Sequence, residues 1–269
     1  MGPSAISGVS LNPANWTRST QGRFLLSLLS IGGGMLIWQV FSTVVFSSIL
    51  FPSATSTLSA LVGQLTSGEL GPHIGITSYR VLAGFLLGSA LGAMFGLLMG
   101  SFALVRKFLD PYTNFFRFIT PIAWITPAVI WFGVGESSKL FLIVYSTLFI
   151  VLINTMAGVS HIHRDRMRMA SAFGATAWQM FCYVTLPATV GFILTGMRVA
   201  LGNSFMTVIG AEILSANTGL GYLIYSSRVY FRADIMFAVI ILLGGMGFVA
   251  DRLFALMQQN ILWRYQAGR

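Results

Sequence analysis

The sequence predicts an all-α, polytopic membrane protein of about six transmembrane helices, and three observations predict it. The first is composition: of 269 residues, 55% are apolar and 9% charged, against roughly 25% charged in a soluble domain. A mean hydropathy of +0.79 points the same way and excludes a water-soluble globule. The second is a series of charge-free runs, and the third is the placement of the basic residues between them. Sixteen basic against seven acidic residues give a net charge of +9. In a chain held in lipid that excess reads as loop topology, so membrane lipid is an expected partner and nucleic acid is not. One cysteine, Cys182, excludes an internal disulfide and a cysteine-based metal site.

The runs follow in order. Arg18 and Arg23 precede an apolar stretch that is too long for a signal core and lacks a clear small-residue cleavage site. Residues 1–23 are therefore read as a cytoplasmic segment and 24–46 as the first span. Residues 47–73, with Pro52, Gly63, Gly68 and Pro72, read as an external connection carrying a short interfacial helix at 57–65. Residues 81–105 form the second span. Residues 118–135 form a short third span, broken by Pro121 and Pro127. Residues 140–160 and 188–211 form the fourth and fifth, the latter interrupted by Arg198. Residues 235–250 are the sixth, extended toward Phe231 and Leu256. Each is close to the roughly 17–25 residues a crossing helix needs. The expected layout is one transmembrane domain over 24–257 and a cytoplasmic tail over 258–269.

Six spans return both termini to one side. With that side cytoplasmic, it holds Arg18, Arg23, Arg106, Lys107, Arg117, Arg164, Arg166, Arg168, Arg252, Arg264 and Arg269. The opposite side holds Arg80, Lys139, Arg228 and Arg232. Eleven against four is the positive-inside pattern, and it places both termini in the cytoplasm. An odd number of spans would move one terminal cluster outside.

The second span carries Gly84, Gly88, Gly92, Gly96 and Gly100, five glycines four apart. Residues four apart share a helix face, so this face forms a groove where another backbone can approach closely. Packing within one subunit and a seam between subunits both fit the pattern.

Residues 161–187 are the longest polar interruption on the inner side, and they have a local logic. Residues 164–173 have helical composition, with Met167, Ala170 and Phe173 three apart. Gly174 can take the left-handed conformation that ends a helix. Thr176-Ala-Trp-Gln179 is a capping-box pattern that starts the next one. Leu186-Pro187 puts proline where a following span can begin. The product is helix, corner, helix and re-entry into lipid: a knob projecting from the membrane.

Gly174 followed nine residues later by Val184-Thr-Leu-Pro187 resembles the loop of binding-protein-dependent ABC-transporter permeases. Residues 68–80 ahead of the glycine-rich span, Asp110-Pro111, residues 131–139 (WFGVGESSK), residues 194–198 (LTGMR), Ala211-Glu212 and Gly219-Leu-Gly221 are similar to the nitrate/sulfonate/taurine (bicarbonate) group of that family. The resemblance spans residues 50–260. It implies a type I importer-like fold and a homodimeric pore for a small anionic solute in a bacterial cytoplasmic (inner) membrane. It also implies two ABC ATPase subunits gripping the knobs and a periplasmic or extracellular solute-binding protein. No cofactor is expected in this chain, since ATP and Mg²⁺ would sit on the ATPase. The implied coupling residues are Arg168, Ala170, Gly174, Ala175, Trp178, Leu186 and Pro187. Arg168-Met169-Ala170 stands where Glu-Ala-Ala is usual, and Gly191 where a second proline often occurs.

Arg198 lies about 16 Å into the fifth span by helical rise. A charge at that depth should face protein or water, either paired with carbonyls or an acid, or offering positive potential to an anion in the pore. Glu212 is read as a hydrogen-bond acceptor near the Gly219-Leu-Gly221 turn, or as a gate element. Trp131 and Asn203 are further pore or gate candidates. His161 and His163 lack further ligands of suitable type, and the neighbouring arginines oppose a cation. Asn203-Ser204 has no later histidine to serve as general base, which removes an intramembrane serine protease.

Three classes of function then compete. A membrane enzyme has neither a nucleophile–base pair nor a metal cluster to support it. An ion-coupled secondary transporter needs ionisable groups in its spans, where only Glu212 stands out, or broken helices such as the one at Pro121 and Pro127. An ABC permease requires an external motor. Lys107 and Lys139 both lack the glycine pattern of a Walker A loop, so a separate ATPase would have to supply the energy.

Overall fold

In hydrocarbon every backbone N–H and C=O must be satisfied within the chain, and a helix does this segment by segment. The computed structural model describes residues 20–45 and 51–266, and among them the backbone is helical with short connections and no strand. The helices are α1 (Thr20–Val40, continued by a π turn Phe41–Val45), α2 (Ala54–Thr66), α3 (Leu70–Ser101) and α4 (Ala103–Phe116). A 3₁₀ turn (Pro121–Trp124) leads to α5 (Ile125–Phe132), α6 (Glu136–Ser160), α7 (Arg164–Ala172) and α8 (Ala177–Met180). A π turn (Phe181–Thr185) leads to α9 (Leu186–Ser215), α10 (Leu220–Val229) and α11 (Ala233–Gln266).

α6 is the axis of the fold, packed along its length between α3 and α9. The α3 glycine stripe makes this possible. A side-chain carbon on Gly92 would lie 2.6 Å from the Leu148 carbonyl oxygen, and one on Gly96 2.6 Å from Thr155 Cβ. Gly84, Gly88 and Gly100 sit as tightly on Ile143, Thr147 and Val159. The partners recur every four residues as the glycines do, so two helix faces run in register. The stripe is thus an internal seam of one chain. Gly196 and Gly158 do the same between α9 and α6, against Asn154 and Phe192. Hydroxyl pairs add to that contact: Thr147 Oγ1 and Ser204 Oγ lie 3.0 Å apart, and Thr207 donates to Ser146 at 3.2 Å. α11 closes the third side, its Phe254 meeting Phe85 edge-on at 6.0 Å.

Among the described residues four helical segments are long and apolar enough to cross a membrane: α3, α6, the stretch Ala177–Ser215 that ends in α9, and Ala233–Ile261 of α11. The expected third span is instead a bent pair, α4 with Pro121–Phe132, turned by 89°. The corner follows from chemistry: Pro121 has no N–H to continue a ladder, and the Tyr145 hydroxyl on α6 donates to the freed carbonyls of Phe116 and Ile119. Leu28–Val44 is a shorter apolar helix. The first expected span runs on to Phe46, which lies outside the described residues, as do Arg18 and Arg269.

Two boundaries differ from expectation. α3 begins at Leu70, eleven residues before the expected span, so residues 70–73 and Arg80 belong to a helix rather than an external connection. α6 begins at Glu136, which takes Lys139 into the helix as well. Both basic side chains are buried. The segment expected to be interfacial, α2, packs on α11 and buries Thr57.

Candidate functional site

The chain places its chemically distinctive residues at three levels: the corner between α7 and α8, the middle of α9, and the opposite end of the bundle.

At the corner, α7 ends at Ala172 and Gly174 takes φ +77°, a left-handed conformation that costs a side chain roughly 1–2 kcal/mol. Thr176 then accepts from Gln179 N at 3.3 Å, while Gln179 Oε1 accepts from Thr176 N at 2.8 Å. This reciprocal capping box starts α8. The turn leaves Phe173 91% and Trp178 71% exposed. Met169, Arg168 and Gly174 are exposed beside them, and Ala170 and Ala175 are half-buried. Leu186 and Pro187 open α9 as its first turn. The Arg168 guanidinium lies 3.8 Å from Asp165 on the exposed face of α7. Behind the corner, a cavity of about 530 Å³ is bounded by the end of α3, by Arg164 and Arg168, and by Met180 and Phe181.

Arg198 lies near the middle of α9 and meets Asp251 of α11 side-on, Nε to Oδ1 at 2.7 Å and Nη2 to Oδ2 at 2.7 Å. Of the two readings left open for Arg198, the geometry supplies the acid. Asp251 was absent from the expected partners because it follows the last charge-free run. The helix continues well past it, to Gln266, so Asp251 lies inside a helix rather than beyond the end of one. Asn203 is half-buried one turn further along α9, and its carbonyl accepts from Thr207. Trp131 lies elsewhere, in an aromatic cluster with Trp124 at 5.8 Å and Phe141 at 6.3 Å. The four pore or gate candidates therefore do not converge on one point.

At the far end Arg80, 1% exposed, ties four segments together. It donates to both oxygens of Glu136 at 2.6 Å, to Glu212 Oε1 at 2.8 Å and to the Thr218 carbonyl at 2.7 Å. Glu212, fully buried, also accepts from Thr77 at 2.8 Å and from Gly221 N at 2.8 Å. Lys139 reaches Glu136 at 3.4 Å, so two cations balance two anions. Gly219 takes φ +121°, and a side chain there would overlap the Glu212 carboxylate. His73 Nδ1 lies 2.9 Å from the Gly219 N–H and 3.1 Å from the Gly219 carbonyl. Arg80 was missed as a site residue, yet a signal exists. It lies four residues before Gly84 and so continues the glycine stripe toward α6.

The sequence that builds this geometry matches a known family. Residues 88–263 match the model for the binding-protein-dependent transport system inner membrane component. The chain belongs to that family. The aliphatic sulfonates transport permease protein SsuC of Escherichia coli (strain K12), a putative assignment in its own name, is 36% identical over 232 residues, covering 86% of this chain and 88% of the relative. The bicarbonate transport system permease protein CmpB of Synechococcus elongatus is 32% identical over 258 residues, covering 92% of each chain. Among solved structures, a bacterial ABC transporter involved in import of the acidic polysaccharide alginate matches with TM-score 0.65 and 17% identity. It covers 89% of this chain and 93% of its own, a likeness of fold. The protein is accordingly a permease subunit of an ABC importer and a multi-pass inner-membrane protein. Permeases of this family are transporter subunits, not enzymes.

Proposed function

We propose that this permease forms a homodimeric pore that admits small oxyanions, such as sulfonates, taurine, nitrate, bicarbonate or related organic acids. An external binding protein delivers them, and two ATPase subunits, which hold ATP and Mg²⁺, supply the energy. The observation that carries this reading is the corner at Gly174. It is a stiff, capped turn at a helix end, and it presents Phe173 and Trp178 to solvent, where an isolated chain gains nothing from them. A second polypeptide covering those rings gives the turn a use: closure of the ATPase pair on ATP pulls the corner, and α9, continuous with it, transmits the movement. The names of the sulfonate and bicarbonate relatives support the solute class.

Burial of Arg80 and Lys139 strengthens the proposed orientation. With both withdrawn into helices, the external side keeps Arg228 and Arg232 of its four basic residues, so the bias toward a cytoplasmic corner and cytoplasmic termini is larger than the sequence count. The residues proposed to couple are Arg168, Ala170, Gly174, Ala175, Trp178, Leu186 and Pro187.

The test is co-purification with the cognate ATPase followed by hydrolysis measurements in lipid. A stable complex with stimulated hydrolysis is expected, and Gly174→Arg is expected to lose the complex while the chain still inserts in the membrane. Solute uptake by the permease alone, driven by an ion gradient, would refute the reading.

A further inference from the structure

Arg198 and Asp251 form an ion pair whose side chains are 44% and 40% exposed, with the exposed Arg252 next to Asp251 on α11. By helical rise Arg198 lies about 18 Å from the start of α9 and Asp251 about 27 Å along α11, so the pair sits within both helices, toward the end of α11 that carries Arg252. Charged groups at such depth face a water-filled path or a polar partner rather than hydrocarbon. The surrounding stripe agrees. Thr195, Arg198, Gly202 and Met206 are all exposed and recur at three- and four-residue steps along one face of α9, and nothing lies within 4 Å of where a Gly202 side chain would begin.

The pair's geometry is that of anion recognition. A guanidinium has five N–H donors arranged to grip a planar or tetrahedral oxyanion at two points. Asp251 engages Nε and one N–H of Nη2. Among the described residues no protein acceptor meets the two Nη1 donors or the second donor of Nη2. Asp251 thus does to Arg198 what a carboxylate or sulfonate solute would do.

We infer that Asp251 is a built-in competitor for the solute: its carboxylate occupies and neutralises Arg198 in the empty pore, and a passing oxyanion displaces it or shares the guanidinium with it. This rests on the importer reading above and adds a specificity residue to it. The physical purpose is release. A solitary guanidinium in the path would hold an oxyanion tightly, whereas conduction needs a site weak enough to leave. With Asp251 present, each departing anion is replaced at once by a tethered one, so Arg198 is never left unpaired.

The experiment uses the permease–ATPase complex in nanodiscs without nucleotide, with ethanesulfonate as the anionic probe and ethylammonium as the cationic control, followed by calorimetry. Asp251→Asn and Asp251→Ser are expected to tighten ethanesulfonate binding about tenfold, Asp251→Glu to restore wild-type affinity, and Arg198→Gln to abolish the gain in the Asp251→Asn background. In uptake assays Asp251→Asn lowers KM and also lowers kcat, because release slows; a residue that only braced α9 on α11 would change neither in that direction. Equal or weaker ethanesulfonate binding in both Asp251→Asn and Asp251→Ser overturns the proposal, as does a gain that survives loss of Arg198. ATPase stimulation is read on the same samples. Its absence in the wild-type complex removes the importer reading, whereas its presence alongside either overturning result removes the competitor role alone.

Discussion

Arg80 grips Glu136 through two parallel hydrogen bonds, Nε to Oε2 and Nη2 to Oε1, each 2.6 Å, and its remaining nitrogen reaches Glu212 on a third helix. One guanidinium therefore joins α3, α6, α9 and the Thr218–Gly221 turn where the bundle would otherwise splay.

Arg80→Ala leaves the Glu212 carboxylate, which is fully buried, without its cation. Breaking a buried pair from one side costs about 3–5 kcal/mol, so the thermal midpoint in detergent drops sharply. Adding Glu212→Gln recovers part of the loss, because the remaining group is then neutral. Arg80→Lys does not restore the wild type, since an ammonium cannot make the two-point grip on Glu136. A midpoint unchanged in Arg80→Ala would show that the clasp contributes nothing to stability.

Gly92→Val drives side-chain carbons into the Leu148 carbonyl and Val151, where the first already lies at 2.6 Å. Overpacking of this kind costs about 1–3 kcal/mol, and here it acts on the central helix pair, so the yield of monodisperse protein falls. Gly75→Ala is the control. It lies in the same helix with nothing within 4 Å of the added carbon, and helix propensity favours it by about 0.8–1 kcal/mol. Size-exclusion profiles and thermal midpoints of the two variants check the contrast.

Thr176→Ala removes the hydroxyl that accepts from Gln179 N. Loss of such a cap costs about 1 kcal/mol, too little to unfold the permease but enough to loosen the first turn after the corner. The expected result is normal complex formation with more ATP hydrolysed per solute moved. Hydrolysis and uptake measured on one preparation give that ratio directly.

Ser204→Ala removes the hydroxyl between Thr147 and the Ala200 carbonyl. Hydrogen bonds between membrane helices average about 0.6 kcal/mol, so a small fall in midpoint with transport retained is expected. Loss of all transport without loss of folding would give Ser204 a chemical role that its full burial argues against.

Legibility followed distance along the chain. The corner was readable in full because its rules are local: Gly174, the Thr176–Gln179 box and Pro187 each act within a few residues. The glycine stripe was readable as a groove, but whether α6 or a second subunit filled it required the register of Ile143, Thr147, Thr155 and Val159 against it. Arg80 and Lys139 read as external in the sequence because each lies just outside a charge-free run. A buried charge with a partner interrupts such a run without ending the helix. The bend after α4 was visible as two prolines, but the sequence alone carried neither its 89° turn nor the Tyr145 hydroxyl that receives its freed carbonyls.

By itself the sequence determined an all-helical membrane protein, its positive-inside bias and the capped corner, since hydropathy, charge and turn chemistry are properties of short segments. Only the tertiary structure decided which charges meet. Arg80 finds Glu136 and Glu212 from 56 and 132 residues away, and Arg198 finds Asp251 from 53. No local rule links such positions. The cost of leaving a charge unpaired in an apolar bundle selects the helix arrangement that pairs it.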